Sequence, residues 1–231
     1  KNREWEWGYR ENEELNGFDP YSNSKSCSEL VTESYRKSFF ISGSTTTSAT
    51  GIPAVAISTA RAGNVIGGGD FATDRIIPDC FRAIEAEKEI AVRNPYSTRP
   101  YQHVLEPVFA YLLIAMKQYE NFELQGSYNV GPNEESCLTT EEMVTEFCRQ
   151  WNIITNGNLK WHQEGEMGPH EANFLKLDCA KIKKTLGWTP KWNAKEMLEK
   201  TIEWMFAYRH GGDVIEVMRK QILEYMDQKM Q

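Results

Sequence analysis

The stretch Asp19-Pro20-Tyr21-Ser22-Asn23-Ser24-Lys25-Ser26-Cys27-Ser28-Glu29 is the part of the sequence from which the fold prediction starts. Asp19 can cap a helix with its carboxylate, and Pro20 suits the first helical position because it has no backbone N–H to satisfy. We therefore predict a helix over about 20–40. Tyr21 and Lys25 are four residues apart, so they lie on one face of that helix.

A phenol and an ammonium one helical turn apart can carry out acid–base chemistry. A phenol has a reference pKa near 10, so its use as a base near neutral pH needs a decrease of about 3 units, which a neighbouring ammonium favours. The alternative interpretation is a partly buried Tyr21 beside a solvated Lys25. The spacing alone is not specific, because Tyr225 and Lys229 repeat it, and we interpret that second pair as accidental, near a fraying terminus.

Composition places the chain among ordinary globular proteins and excludes some functions. It has 231 residues, of which 40% are hydrophobic and 26% charged, enough for one large domain or two modest ones. The formal net charge of −7 argues against general nucleic-acid binding. The longest apolar stretch, 104–116, contains Glu106 and Pro107 and is too short to span a bilayer, so we expect no membrane segment.

The cysteines and histidines predict neither disulfides nor a metal site. The five cysteines are scattered without a Cys-x-x-Cys motif, and the four histidines are isolated from one another. This pattern is typical of a reduced, cytoplasmic chain with free thiols. We accordingly predict no structural metal.

Apolar runs typical of strands alternate with helical patterns along the chain. We predict strands at 52–58, 90–92, 127–131 and 159–162, and polar loops at 1–18 and 94–103. Helices are predicted at 76–87, 107–119, 139–151, 178–186, 195–208 and 214–226, in addition to 20–40. The alternation predicts an α/β fold with a more helical C-terminal part.

Several loop residues are candidates for ligand contacts. Asn64 follows a predicted strand, where ligands of α/β sheets bind, but it could equally satisfy its own turn. Arg75 and Arg99 could each clamp a diphosphate or remain solvated, and His170 has the same ambiguity. The segment 67–72 fits G-x-G-x-x-A, which we interpret as a mobile glycine loop beside a site rather than a dinucleotide turn, since no suitably placed acidic residue follows.

Taken together, these segments resemble extended short-chain dehydrogenases/reductases. The match follows the order of that family over nearly the whole chain and comprises Tyr21-x-x-x-Lys25, Arg61-Ala62-Gly63-Asn64-Val65-Ile66-Gly67, Arg99 before Tyr101-x-His103-Val104, Tyr128-Asn129-Val130-Gly131 and Leu186-Gly187-Trp188-Thr189-Pro190. Within the family, the chain is most similar to enzymes that dehydrate CDP-glucose. The residues that carry this are Trp5-x-Trp7-Gly8-Tyr9-Arg10-Glu11, Cys27-Ser28-Glu29-Leu30-Val31, Ile66-Gly67-Gly68-Gly69-Asp70 and Pro169-His170-Glu171-Ala172.

The resemblance implies the C-terminal part of a doubly wound, Rossmann-type parallel sheet domain, together with a smaller, mixed and mainly helical substrate domain. The implied division assigns 1–63 and 104–135 to the NAD-binding domain, and 64–103 and 136–231 to the nucleotide-sugar-binding domain. The glycine-rich NAD turn and a third catalytic segment would precede Lys1. We therefore expect the chain to be the carboxyl-terminal two-thirds or so of an enzyme, with little or no activity alone.

The implied reaction converts CDP-glucose to CDP-4-keto-6-deoxyglucose and water with NAD as cofactor, as in deoxysugar synthesis for lipopolysaccharide O-antigen. Tyr21 would take the proton from the C4 hydroxyl, and Lys25 would hold the nicotinamide ribose. Asn64 and Arg99 would bind the diphosphate, with Arg75 and His170 as weaker candidates for the phosphates or the cytidine. The intact enzyme is expected to be a homodimer, which is doubtful for this chain alone. A 4-epimerase, another dehydratase of the family, or a non-catalytic nucleotide-sugar-binding module are the alternatives.

Overall fold

The computed structural model describes residues 2–40, 55–165 and 173–227. Its α-helices are α1 (Pro20–Tyr35), α2 (Ile76–Glu85), α3 (Leu105–Glu120), α4 (Thr140–Thr155), α5 (Ala180–Leu186), α6 (Ala194–Arg209) and α7 (Val214–Asp227). A π-helical segment, Arg36–Phe40, extends α1. All seven predicted helices are confirmed to within a few residues at each end.

Capping residues at the helix ends explain why the helix boundaries could be predicted from the sequence. Asp19 accepts hydrogen bonds from the backbone N–H groups of Tyr21 and Ser22, so α1 begins at Pro20 as predicted. Thr139 and Glu142 form a reciprocal capping box that begins α4. Gly187 ends α5 with φ of 70°, a left-handed conformation that glycine adopts without steric cost.

The eight strands in the described part of the chain associate in four pairs. β1 (Thr59–Ala62) runs parallel to β6 (Ser127–Val130), β2 (Asn64–Ile66) to β5 (Tyr101–His103), and β3 (Ile90–Val92) to β8 (Trp161–Gln163). β4 (Thr98–Arg99) is antiparallel to β7 (Leu138–Thr139). Parallel pairs joined through helices confirm the predicted α/β class.

Two sequence predictions about strands were wrong in position. Of the strand predicted at 52–58, residues 52–54 lie outside the described residues, 55–58 are not in a strand, and β1 begins at Thr59. Thr59 donates its backbone N–H to the carbonyl of Gly126, so the pairing partner β6 sets this register. The segment 94–103, predicted as a loop, contains β4 and β5 because β7 and β2 lie beside them.

The β1/β6 pair has one apolar and one polar face. Ala60, Tyr128 and Val130 point into a core formed with α3 and α5. The alternate residues, Thr59 and Arg61 on β1 with Ser127 and Asn129 on β6, make polar contacts on the other face. A second, larger core joins α2, α4 and α6 with β2, β3 and β5.

The two cores bear on the predicted division of the chain without testing it. α5, which the division assigns with 136–231, packs through Ile182 and Leu186 into the core that contains β6 and α3. The division into 1–63 with 104–135, and 64–103 with 136–231, stays a prediction. None of the helices described is long and apolar enough to cross a bilayer.

Candidate functional site

Tyr21 and Lys25 form the accessible end of α1. The Lys25 Nζ lies 5.4 Å from the centroid of the Tyr21 ring, so the two side chains share a face of the helix. Tyr21 is 73% exposed. Among the described residues, no carboxylate forms an ion pair with the Lys25 ammonium. Both groups are therefore available to a bound molecule.

Burial along α1 does not follow the polarity of its side chains, and Tyr225 of the second Tyr/Lys pair is buried. The apolar residues Leu30, Val31, Tyr35 and Phe39 are exposed, whereas Ser26 is buried. Tyr225, interpreted as part of an accidental surface pair, is 2% exposed and donates to Glu106, so that interpretation was wrong for Tyr225. Lys229 lies outside the described residues.

Glu29 links α1 to the polar face of the β1/β6 pair through hydrogen bonds. Its Oε2 accepts hydrogen bonds from Thr59 Oγ1 at 2.9 Å and from Arg61 Nη2 at 3.1 Å. Arg61 Nε also lies 3.1 Å from Glu29 Oε1 but forms no hydrogen bond with a described residue, so Nη2 is the guanidinium atom that donates to this carboxylate. Burial raises the pKa of Glu29, but hydrogen bonds from Arg61 and Thr59 outweigh it and leave that pKa below its ordinary value.

The N-terminal loop is held on the same face. Arg61 Nη1 donates to the carbonyl of Glu11 at 3.0 Å, and the Glu11 side chain accepts from the backbone N–H of Asn129 at 2.8 Å. The Asn129 amide donates to the carbonyls of Tyr9 and Asp178. Arg61 thus joins the loop before α1, α1 itself and β1.

Asn64 and Arg99 lie on neighbouring stretches of backbone. Asn64, exposed, begins β2 and pairs with Tyr101 of β5. A Cβ on Gly63 would lie 2.3 Å from the carbonyl oxygen of Pro100, so the chain just before Asn64 abuts the chain just after Arg99. Arg99 is 6% exposed, and its Nη1 donates to the Thr98 carbonyl at 3.0 Å. The backbone segments that carry these two sequence-predicted residues are thereby adjacent.

Arg75 and the glycine loop have local structural partners. Arg75 is exposed, stands at the N-terminus of α2 and forms an ion pair with Asp70 at 3.2 Å. A Cβ on Gly68 would lie 2.1 Å from the Trp204 ring, so this glycine permits close packing on α6. The loop at 67–72 therefore has a packing role that its G-x-G-x-x-A pattern did not indicate.

His170 lies outside the described residues. The described chain resumes at Asn173, whose carbonyl accepts the Thr98 N–H at 2.8 Å, one residue from Arg99.

A cleft of about 720 Å³ lies between the N-terminal loop and the segments 132–137 and 174–183, with Trp5, Trp7 and Phe174 in its walls. The predicted site residues that are described do not line this cleft.

Sequence reasoning missed the Glu29–Arg61 pair and the Glu11–Asn129 contact. The signal for Glu29 was present, because it continues the spacing of Tyr21 and Lys25 by one more helical turn. No sequence signal identified Arg61 as its partner, since 32 residues separate them. Among the described residues, groups of three or more His, Cys, Asp or Glu that could hold a metal ion do not occur.

Comparison with known proteins identifies the class. The family model described as GDP-mannose 4,6 dehydratase matches residues 4–201. The chain therefore belongs to the GDP-mannose 4,6 dehydratase family. The CDP-glucose 4,6-dehydratase of Salmonella typhimurium is 44% identical over 226 residues, which cover 97% of this chain and 60% of that protein. The chain thus spans about three-fifths of the length of this relative.

Solved structures of similar fold support the Rossmann-like architecture. DesIV of Streptomyces venezuelae, a dTDP-glucose 4,6-dehydratase, gives a TM-score of 0.68 at 17% identity, covering 90% of this chain and 57% of that one. UDP-glucose 4-epimerase of Thermotoga maritima gives 0.68 at 20% identity, covering 87% and 58%. At these identities the likeness concerns the fold, and it confirms the predicted Rossmann-type class.

Proposed function

We propose that the polypeptide containing this chain catalyses the NAD-dependent dehydration of CDP-glucose to CDP-4-keto-6-deoxyglucose and water. The reaction proceeds by oxidation at C4, elimination across C5 and C6, and return of the hydride to C6. The observation that carries the proposal is the accessible Tyr21 and Lys25 pair on one face of α1. The 44% identity to a CDP-glucose 4,6-dehydratase supports the choice of reaction and nucleotide.

Tyr21 acts as the base at the C4 hydroxyl. Its side chain is exposed on the same helix face as the Lys25 ammonium, so the Tyr21 oxygen, as phenolate, can accept the proton of a sugar hydroxyl. The Lys25 ammonium has donors left for ribose hydroxyls, which fits a nicotinamide nucleotide bound against this face. NAD, when bound, supplies a hydride acceptor at C4 and returns the hydride at C6, so it is not consumed.

Asn64 and Arg99 bind the diphosphate of the substrate. A guanidinium fork suits a diphosphate, and the exposed Asn64 amide stands beside the same stretch of backbone. Arg75 and His170 are further candidates for the phosphates or the cytidine, with Arg75 supported by its exposure at a helix N-terminus.

A chimera tests the reaction. In it, this chain replaces the matching part of the Salmonella dehydratase, and single-turnover NAD reduction by CDP-glucose is followed spectrophotometrically. Tyr21→Phe is expected to lower the rate by about 10²–10⁴-fold, because the base is lost, while nucleotide binding persists. Tyr35→Phe, an exposed tyrosine on the same helix, is the matched control and should react like the wild type. Normal turnover by Tyr21→Phe would reject the assignment.

Binding experiments test the diphosphate contacts. Arg99→Ala is expected to weaken CDP-glucose binding about 10- to 100-fold, the effect of losing a charged hydrogen-bond donor. Arg93→Ala is the control, because Arg93 is exposed and pairs with Asp74. Isothermal titration calorimetry measures both, and unchanged affinity of Arg99→Ala would remove Arg99 from the site.

The alternative activity is that of a 4-epimerase, since a UDP-glucose 4-epimerase shares this fold to the same extent as a dTDP-glucose 4,6-dehydratase does. Product analysis of the chimera with CDP-glucose separates the two, since only dehydration releases water and leaves a 4-keto-6-deoxy sugar. Another dehydratase of the family would prefer a different nucleotide. A non-catalytic binding module would bind the nucleotide sugar without NAD reduction.

We also propose a homodimeric, cytoplasmic enzyme in deoxysugar synthesis for O-antigen. The exposed apolar residues Leu30, Val31, Tyr35 and Phe39 support self-association through α1. Free cysteines, three of them buried, support a reducing compartment. Light scattering on the chimera measures the oligomeric state, and a monomer would contradict the dimer.

A further inference from the structure

Helix α1 carries the candidate catalytic groups but is weakly packed. Ser26 is the one buried residue of this helix, all of which is described, and its apolar side chains Leu30, Val31 and Tyr35 are exposed. Within this single chain, hydrophobic burial therefore contributes little to the position of α1. Polar contacts with the strands join the helix to the described part of the chain.

Glu29 joins α1 to strands β1 and β6 by hydrogen bonds. It follows Lys25 by four residues and Tyr21 by eight, so the three side chains form one stripe along the helix. Its carboxylate accepts from Thr59 Oγ1 at 2.9 Å, Arg61 Nη2 at 3.1 Å and Ser127 Oγ at 3.4 Å. Both strands of the β1/β6 pair are thus joined to this stripe.

Arg61 is held in turn from a second side. Its Nη1 donates to the Glu11 carbonyl at 3.0 Å, while Nε and Nη2 face Glu29. The guanidinium and carboxylate are mostly buried, with side chains 22% and 16% exposed. The planar Arg61 guanidinium donates to Glu11 through Nη1 and to Glu29 through Nη2. It therefore fixes the direction of the contact as well as its length, which a lysine ammonium could not do.

We propose that Glu29 and Arg61 are positioning residues that set the rotation of α1 and thereby aim Tyr21 and Lys25 at the reacting sugar. This inference rests on the proposed function for its catalytic meaning. The pair holds the helix through ionic hydrogen bonds, so its loss rotates or loosens α1 without emptying a hydrophobic core. The reacting groups would then miss the geometry needed for proton transfer.

A distance measurement on the chain itself tests the structural half. Spin labels are placed on Cys27, which is exposed on α1, and on Tyr119→Cys at the exposed end of α3, with Cys137→Ser to remove a partly exposed thiol. α3 packs on the apolar face of the β1/β6 pair and serves as the reference. Glu29→Gln and Arg61→Lys should broaden or shift the distance distribution.

Glu33→Gln is the matched control. It removes a carboxylate one turn further along α1, whose ion pairs are with Arg36 and Lys37 of the same helical segment rather than with the sheet. Its distance distribution should equal that of the wild type. Circular dichroism and thermal melting of each variant show that it is folded. Unchanged distributions for both Glu29→Gln and Arg61→Lys would overturn the proposal.

Kinetics of the chimera test the catalytic half. Glu29→Gln should lower kcat by up to about 10²-fold with little change in KM for CDP-glucose, because the base is misplaced and the diphosphate contacts remain. Glu33→Gln should keep the wild-type kcat. Equal loss in both variants, or an effect of Glu29→Gln confined to KM, would overturn the proposal. An inactive wild-type chimera would instead count against the proposed function, and the distance measurement would still decide the positioning.

Discussion

Two carboxylates, Glu29 on α1 and Glu106 on α3, tie helices to the rest of the molecule in opposite ways. Glu29 is partly exposed and meets a charged partner, Arg61. Glu106 is fully buried and accepts from the backbone N–H groups of Lys191 and Trp192 at 2.9 and 2.8 Å and from Tyr225 Oη at 2.6 Å. The first contact orients a lightly packed helix, and the second locks α7 against α3.

The surroundings of the two carboxylates indicate that Glu29 orients α1, whereas Glu106 contributes to the stability of the fold. Around Glu106, the rings of Phe109, Trp192 and Tyr225 pack together and exclude water. Around Tyr21 and Lys25, no such packing exists among the described residues, and both groups face outward. Groups that act on a substrate must remain open to it, so we propose that the position of Tyr21 and Lys25 depends on directional polar contacts rather than on a core.

The largest effect is expected at Glu106. Glu106→Ala leaves two backbone N–H groups and the Tyr225 hydroxyl buried without acceptors, and should lower the free energy of unfolding by about 3–5 kcal/mol. Urea denaturation measures it. The control is Glu120→Ala on the same helix, whose partner Lys117 is three residues away on the surface, and which should cost about 0.5 kcal/mol or less. A similar decrease in the free energy of unfolding for Glu106→Ala and Glu120→Ala would show that the buried Glu106 contributes no more than a surface carboxylate.

A smaller effect is expected in the dependence of stability on pH. Burial raises the pKa of Glu106 above its ordinary value of 4.5, only partly offset by its hydrogen bonds, so its contribution declines as pH rises through and above 4.5. The pKa of Glu29 is lowered, so its contribution is present above 4.5 and is lost as pH falls through the lowered value.

Urea midpoints between about pH 3 and pH 7 measure these opposite slopes. Glu106→Gln should remove the decline above 4.5, and Glu29→Gln should remove part of the loss on the acid side. If both substitutions changed the pH dependence of stability in the same direction, the two carboxylates would not differ as proposed.

The smallest effect is expected at the exposed end of α1. Tyr21→Phe and Lys25→Met should change the free energy of unfolding by no more than about 0.5 kcal/mol, because both side chains are solvated. The same variants should abolish or strongly reduce NAD reduction in the chimera. A large stability loss would mean that this end of α1 is packed rather than open.

The helices were the most predictable part of the fold. Their apolar periodicity and their caps lie within a few residues of each other, as with Asp19 and Pro20 at α1 or Thr139 and Glu142 at α4. The shared face of Tyr21 and Lys25 was predictable for the same reason. Residue roles at Tyr21, Lys25, Asn64, Arg75, Arg99 and His170 stay predictions for the experiments above.

Strand register and burial were less predictable because they depend on distant partners. β1 begins at Thr59 because Gly126 and Ser127 lie beside it, and β4 exists because β7 pairs with it. Tyr225 looked like a terminal surface residue until Glu106 provided an acceptor 119 residues away. The packing of Gly68 against Trp204, 136 positions further along the chain, was likewise not predictable from the G-x-G-x-x-A pattern, and a ligand site beside this loop stays a prediction.

Local sequence was enough to predict the helices, the α/β class and the one-turn spacing of Tyr21 and Lys25, because each depends on residues close together along the backbone. Three contacts depend on the packing of distant elements: Glu29 pairs with Arg61, the backbone before Asn64 adjoins that after Arg99, and Glu106 is buried beside Tyr225. Those contacts join residues far apart in the chain, and their partners are set by how the elements pack rather than by any local pattern.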